Sequence, residues 1–403
     1  MDPQLLRSTF AVVERRAEHA VTYFYSHLFW NNPGVRELFP EDMRPQRDRL
    51  FAALTEVVTR LEDPGLAEYL AHLGRDHRKY LAAPALYAAV GASLVAAFAH
   101  AAGASWSVEA EKAWTEAYGF VADLMMTGAE RARESGEPVW WDAEVVRHER
   151  LGDDLAVLTL RPRQPYPYRP GQYVGVSSPR VPRIWRTYSV ANAPRPDGTL
   201  DLHVSLIRGG LMSTALVDGV RVGETLRLSP PGGGLTARTP LGKPRTYIAA
   251  GTGWAPVKAL LEELAEAPGD TEARLFLVAR AREYLYGRAE AERLGERIPG
   301  LRLSCITAAP RGRRAQATER LHQALGMCGH WPAHDVYLAG PARLLDETVP
   351  VLEHLGADPG RVLHDVLPAV GRFLVRPATP AERLLDPPTP EWHNPEGRAP
   401  RSR

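Results

Sequence analysis

Arg186-Thr187-Tyr188-Ser189 carries a guanidinium, a phenol and two hydroxyls in four residues. On an extended strand Arg186 and Tyr188 share one face. A guanidinium there can clamp phosphate, a phenol ring can lie on a planar heterocycle, and Ser189 can donate to that heterocycle's edge. Pro170-Gly171-Gln172-Tyr173 precedes this strand, and Gly210-Leu211-Met212-Ser213 follows it, opening a short helix whose free N–H groups can meet a phosphate. Gln172, Tyr173, Arg186, Tyr188, Ser189, Gly210 and Ser213 are therefore candidate contacts to a flavin, FAD. Further on, Gly251-Thr252-Gly253 ends an apolar run, and Pro256 suits the first position of the helix behind it. Glycines let the backbone approach a pyrophosphate, and a helix N-terminus favours its charge. Gly340-Pro341 ends a later apolar run in the same way. Gly251, Thr252, Gly253, Pro256, Gly340 and Pro341 are candidate contacts to NADH or NADPH, although Gly-x-Gly-x-x-Gly itself is absent. Arg280 and Arg282 follow the second strand of this region and could pair with a 2′-phosphate or simply face water. The coenzyme choice stays open.

A second constellation lies near the N-terminus. Counting about 100° per residue, Leu70, Leu73 and His77 fall within about 40° of Leu66 on one helix face, while His72 falls about 120° away. A histidine on an apolar stripe is either a satisfied core residue or a metal ligand, here to a haem iron. Tyr25 shares the stripe of Val21 and Leu28, and Gln46 that of Leu50 and Leu54. Each alone fits a structural position. Together, three inward polar groups on three helices favour a cofactor pocket.

These residues need elements to position them. Residues 1–133 read as all helix, with apolar residues at three- and four-residue steps. Ser135-Gly136-Glu137-Pro138 breaks that pattern, so 134–139 reads as a linker. From 140 to 242 short alternating runs, such as Ala156–Leu160 and Leu202–Leu206, are separated by Pro-, Gly- and Asp-rich turns, which predicts an antiparallel barrel. From 243 to 370 strands alternate with helices, which predicts a doubly wound parallel sheet. The fold class is multidomain: an all-α domain, an antiparallel β-barrel and an α/β domain. Seven prolines fall in 371–403, a tail expected to be disordered.

Bulk composition excludes other classes. The net charge of +1 offers no electrostatic case for nucleic acid or an anionic membrane. Two cysteines, Cys305 and Cys328, are too few for a disulfide framework or a cysteine-ligated zinc or iron–sulfur site. A reducing cytoplasm is expected, as the N-terminus lacks a signal-peptide pattern. No window reaches the roughly 18 apolar residues of a membrane span. Sequence sets no oligomeric state.

Residues 140–370 resemble the ferredoxin-reductase superfamily, an FAD barrel followed by an NAD(P) domain. The front of the chain is similar to a globin, and nearly the whole chain resembles bacterial flavohaemoglobins. That likeness rests on Phe24-Tyr25, Pro33–Phe39, Gln46 with Leu50-Phe51, Asp76-His77, Pro84–Tyr87 and Ala113-Trp114 with Ala117–Gly119. The resemblance implies haem b with His77 as proximal ligand. It implies Tyr25 and Gln46 as distal residues facing O₂, Phe39 packed on the porphyrin, and Tyr87 orienting the imidazole. It implies a nitric oxide dioxygenase in which NAD(P)H electrons pass through FAD to haem, and NO and O₂ leave as nitrate. Three departures stand out. Ala339 replaces a cysteine before Gly340. Leu363–Pro368 offers no aromatic where the family has one near the flavin. The glutamate expected fifteen residues after Trp114 is an alanine, Ala129; Glu130, one step on, is the candidate to stand behind His77 in its place if the last helix is locally irregular. The shifted glutamate and the missing aromatic keep open a haem–flavin oxidoreductase for another substrate, such as lactate, a quinol or a biosynthetic intermediate. The other alternative is an O₂ or NO sensor with an attached reductase, which the intact hydride path argues against.

Overall fold

The computed structural model describes residues 2–81, 84–238, 243–267, 272–308, 314–329 and 331–365. The expected disordered tail, 371–403, lies outside the described residues.

The helical domain runs through α1 (Pro3–Glu14), α2 (Ala17–Asn31), α3 (Arg44–Thr59), α4 (Leu66–His77), α5 (Pro84–Ala102) and α6 (Val108–Glu134). Asp2 caps α1, its carboxylate accepting from the Gln4 and Leu5 N–H groups at 2.9 and 3.2 Å. α4 and α6 meet backbone to backbone. A Cβ on Gly74 would lie 1.9 Å from the Met125 carbonyl oxygen, and one on Gly128 1.9 Å from that of Ala71. No side-chain layer separates the two helices, so α6 sets the height of α4 and of His77 at its end.

One expectation is corrected here. The stretch Pro84–Ser105 is long and apolar enough, by length and composition, to cross a membrane, with a mean hydropathy of 1.6. Its apolarity comes largely from alanines, which an eye seeking Leu, Ile and Val runs passes over. It buries Leu94, Ala97, Phe98 and Ala101 in the core formed with Phe10, Phe24 and Trp114.

The second domain contains β1 (Trp141–Arg150), β2 (Leu155–Pro162), β3 (Tyr173–Ser178), β4 (Val181–Ser189), β5 (Leu200–Ser205), a one-turn helix α7 (Leu211–Thr214) and β6 (Thr225–Leu228). The strands form one antiparallel sheet in the order β4-β3-β6-β1-β2-β5. A single bridge, Val190 to Leu202, draws its two ends together, so the barrel is half open. Alternate residues such as Val145, Leu158, Leu160 and Leu202 fill its interior.

The third domain contains β7 (Arg245–Ala250), α8 (Trp254–Glu266), β8 (Ala273–Ala279), α9 (Arg288–Arg297), β9 (Leu301–Thr307), α10 (Arg314–Gly326), β10 (Asp335–Ala339), α11 (Ala342–His354) and β11 (Val362–Leu363). Its sheet is parallel, in the order β11-β10-β7-β8-β9. Both faces are covered by helices: one core holds Val257, Leu260 and Leu294, the other Leu321, Leu345 and Leu352. The strand order reverses beside β7, which puts the Gly251 and Gly340 turns together at the carboxyl edge of adjacent strands.

Candidate active site

His77 is the last residue of α4. Its Nδ1 lies 2.8 Å from the Leu73 carbonyl oxygen, one helical turn back. A carbonyl only accepts, so Nδ1 carries the proton and Nε2 keeps its lone pair. Burial holds the pKa of this imidazole below the ordinary histidine value, which favours the neutral, metal-binding form. Tyr80, in the 3₁₀ turn after α4, stands edge-on to the ring at 5.5 Å. From α2, the buried Tyr25 hydroxyl donates to the Gln46 carbonyl at 3.4 Å. Phe39 packs edge-on against Tyr25 at 5.6 Å and against Phe29 at 5.3 Å. The apolar residues here fall into two separate clusters. Phe39, Leu50 and Leu54 flank one, Leu73 and Tyr87 flank the other, and all five are only partly buried. A domain of this size normally closes a single core. A planar apolar group between the clusters would cover both lips. Among the described residues no three His, Cys, Asp or Glu side chains form a metal cage. The donor set is one neutral histidine in apolar surroundings, which fits an iron already held by a macrocycle.

In the barrel domain β4 pairs with β3 so that Tyr188 stands opposite Val174 and Ser189 opposite Tyr173. Arg186 is part-buried, and its one hydrogen bond among the described residues is to the neighbouring Trp185 carbonyl, at 2.9 Å. Burial, and then the nearby charge of Arg49 from α3, hold its pKa below the ordinary arginine value. A guanidinium in that setting fits a pyrophosphate. Burial raises the Tyr188 phenol well above its ordinary value, so it stays neutral. Tyr173 sits where all three domains meet. A Cβ on Gly233 would strike its ring at 2.8 Å, and Gly233 has the positive φ of +98° that such close packing uses. Burial, then Asp365 of the parallel-sheet domain, then Asp76 of α4 push its pKa up to about 12. Asp365 also accepts from the Gly234 N–H at 2.9 Å and the Leu235 N–H at 3.4 Å, so the last described residues of the chain return to the barrel.

In the parallel-sheet domain a Cβ on Gly253 would lie 2.2 Å from the Ala339 carbonyl oxygen and 2.7 Å from the Gly340 nitrogen. The two glycine turns thus touch through backbone alone. Trp254, fully buried, begins α8 and donates its indole N–H to Glu290 at 3.0 Å. Pro256 is therefore the third helical residue, not the first as expected. Both positions lie in the first turn, where no intrahelical acceptor exists for an N–H, so proline is tolerated at either. Lys258, one turn on, is 8 % exposed and donates to the Ala191 carbonyl (2.9 Å) and to Glu262 (2.6 Å). Glu262 accepts in turn from the Ala193 N–H at 2.9 Å. This pair ties α8 to the segment just after the Arg186–Ser189 strand. Beside it, His203 Nδ1 lies 3.1 Å from the Tyr286 hydroxyl, and burial, then the Lys258 charge, push its pKa down to about 4.

Three segments match known families: residues 22–125 match Globin, 142–236 the Oxidoreductase FAD-binding domain and 247–349 the Oxidoreductase NAD-binding domain. The chain is 27 % identical over 394 residues to a flavohemoprotein of Chromobacterium violaceum, covering 90 % of this chain and 96 % of that protein. The chain belongs to the flavohaemoprotein family. The crystal structure of the flavohemoglobin of Malassezia yamatoensis shares the fold, with a TM-score of 0.76 over 91 % of this chain and 98 % of that one, at 19 % identity. The reductase half is also 31 % identical over 249 residues to the xylene/toluene monooxygenase electron transfer component of Pseudomonas putida, covering 60 % of this chain and 67 % of that protein.

Within this flavohaemoprotein, several expected roles change. Glu130 does not stand behind His77. It is exposed on α6 and paired with Arg133 one turn on, while Met125, Gly128 and Ala132 make the face toward α4. A helix step of about 100° turned it off that face. Tyr87 does not hold the imidazole, because the Leu73 carbonyl already binds Nδ1; its own backbone carbonyl accepts from the Tyr118 hydroxyl at 2.7 Å. Gly210 and Ser213 close a local turn. The Ser213 hydroxyl accepts from the Ile207 N–H at 3.1 Å and donates to the Gly210 carbonyl at 3.0 Å, and a Cβ on Gly210 would meet that hydroxyl at 2.7 Å. The Gln172 amide oxygen caps its own turn by accepting from the Arg169 N–H at 2.8 Å. Sequence reasoning missed Tyr80, whose ring meets His77 three residues away, and also Lys258, Glu262 and Asp365, whose partners are backbone groups distant in the chain.

Proposed function

We propose that the protein is a nitric oxide dioxygenase that takes electrons from NAD(P)H through FAD to a haem b. The observation that carries this reading is an Nδ1-anchored, neutral His77 sharing one helical domain with the buried Tyr25 hydroxyl, which donates to the Gln46 backbone carbonyl, on a chain with its own flavin reductase. The haem, when bound, supplies the iron at which O₂ is activated. Each residue has a matching task. His77 Nε2 would hold the iron, and the Leu73 carbonyl keeps the ring in the tautomer that can do so. The Tyr25 hydroxyl, kept protonated by burial, is a donor that could turn from the Gln46 carbonyl toward O₂ entering the pocket. Arg186 holds the flavin pyrophosphate, and Tyr188 offers its ring to the isoalloxazine. Gly251, Gly253 and Gly340 would let the nicotinamide approach the backbone at positions that carry no side chain. The balance supports such a relay: hydride brings two electrons, whereas NO and O₂ need one to become nitrate, so a flavin must divide the pair. A cytoplasmic location, with access to NAD(P)H, is part of the proposal.

The purified, haem- and FAD-loaded protein is expected to consume NO only when both NAD(P)H and O₂ are present, with nitrate as product and two NO consumed per nicotinamide oxidised. Absence of that consumption would leave the second reading, supported by the monooxygenase-component relative: a haem–flavin oxidoreductase that serves another acceptor. Arg280 bears on the coenzyme. Its guanidinium lies 3.6 Å from the centre of the Tyr284 ring at the end of β8, which holds it ready for a 2′-phosphate. A charge-assisted hydrogen bond contributes about 1.5–3 kcal/mol, so Arg280→Ala should raise the KM for NADPH about 10- to 100-fold and leave that for NADH unchanged. Equal shifts for both coenzymes would remove Arg280 from phosphate recognition.

A further inference from the structure

The residues on either side of His77 are tied to the barrel domain and the linker. Arg75 donates Nε to both Glu137 carboxylate oxygens at 2.9 Å and Nη2 to one of them at 2.5 Å. Arg78 reaches the same carboxylate at 3.3 Å and donates Nη2 to the Glu137 backbone carbonyl at 2.7 Å. Glu137 is 19 % exposed and Arg78 12 %, so water and salt screen these charges little. The barrel side is engaged by the same segment. Arg75 Nη1 donates to the Pro231 carbonyl at 3.4 Å. Lys79, 8 % exposed, is bound to Asp76 at 2.6 Å and lies 5.5 Å from the centre of the Trp185 ring, next to Arg186. A Cβ on Gly175 would come within 3.4 Å of the same ammonium. Glu137 can reach back because Gly136, at φ +73°, reverses the chain just after α6, where the Glu137 N–H bonds the Ala132 carbonyl at 3.1 Å.

We propose that Glu137 is the positioning residue for electron passage between the helical and flavin domains, clamping the segment on both sides of His77 and so fixing the iron ligand's place relative to the Arg186–Ser189 strand. The argument rests on the reading of His77 as the haem ligand. One carboxylate serves two guanidinium groups. Removing it leaves two cations facing each other across a half-buried seam, and the segment carrying His77 must shift or loosen. Electron passage depends on that placement, whereas hydride transfer at the other side of the flavin does not touch it.

The test uses the full chain with FAD and haem bound, comparing Glu137→Ala and Glu137→Asp with the parent. In stopped flow with NAD(P)H, Glu137→Ala should reduce flavin at the parent rate but pass electrons to haem several-fold more slowly, because electron tunnelling weakens steeply as the segment carrying His77 shifts or loosens. Glu137→Asp, which keeps the charge, should recover most of that rate. Hydrogen exchange of the haem-free chain should be faster at amides 75–80 and 135–138 in Glu137→Ala alone. Unchanged haem reduction in Glu137→Ala with haem bound overturns this proposal and leaves the haem reading standing. A parent protein that takes up no haem overturns both.

Discussion

Replacing His77 with alanine is expected to give a protein with no Soret band that still oxidises NAD(P)H and reduces its flavin. The histidine is the one candidate iron ligand on the α4 stripe, and its Nδ1 partner is the helix's own Leu73 carbonyl. Removing the side chain therefore removes the iron bond and leaves the backbone that oriented it. Loss of an outer partner of a metal ligand typically lowers affinity about 10- to 100-fold, and loss of the ligand itself should exceed that. Added imidazole should restore the Soret band, because the space and the carbonyl acceptor both remain. Retention of haem by His77→Ala with an unchanged spectrum would mean that another residue binds the iron. NAD(P)H-driven flavin reduction serves as the internal control, since Arg186 and the Gly251–Gly253 turn lie in other domains.

Gly253→Val should do the opposite: haem and FAD remain bound, dithionite still reduces both, and NAD(P)H reduces neither at a useful rate. The atoms that a Cβ would strike, at 2.2, 2.4 and 2.7 Å, all belong to the Ala339–Gly340 backbone, so no flexible side chain can give way. The two turns must separate by about an ångström or more, and reacting groups need a separation near 3–3.5 Å, so hydride transfer is expected to fall at least about 100-fold. Gly251→Ala is the matched comparison. Gly251 has open space around it and only a left-handed φ of +56°, a cost of about 1–3 kcal/mol in local strain without a clash. Flavin reduction by NAD(P)H in Gly253→Val within about threefold of the parent would show that the contact between turns does not set nicotinamide placement.

Much of the architecture could be read from local patterning. The alternation in Leu155–Pro162 and the buried runs Arg245–Ala250 and Asp335–Ala339 announce their strands, and the Leu66, Leu70, Leu73, His77 stripe announces α4. What escaped was non-local or subtle by one residue. Glu130 differs from Ala129 by one helix step, and only the packing of α6 on α4 shows which face the glutamate occupies. The Leu73 carbonyl is invisible to any search for side-chain partners. Glu137 looks like a linker residue because its partners, Arg75 and Arg78, lie about sixty positions away. The span Pro84–Ser105 was misjudged because alanines weigh little by eye and much in a mean.

Asp365 changes how the chain can be taken apart. It lies at the edge of the parallel sheet, yet its carboxylate receives the N–H groups of Gly234 and Leu235 and faces the ring of Tyr173. The barrel is thus completed by a residue more than a hundred positions beyond its own last strand. A fragment ending near residue 242 would leave those two N–H groups and the Tyr173 pocket open to water. Excision of the flavin domain by its sequence boundaries would give an incomplete object, whereas a piece running through Asp365 would carry its own closure.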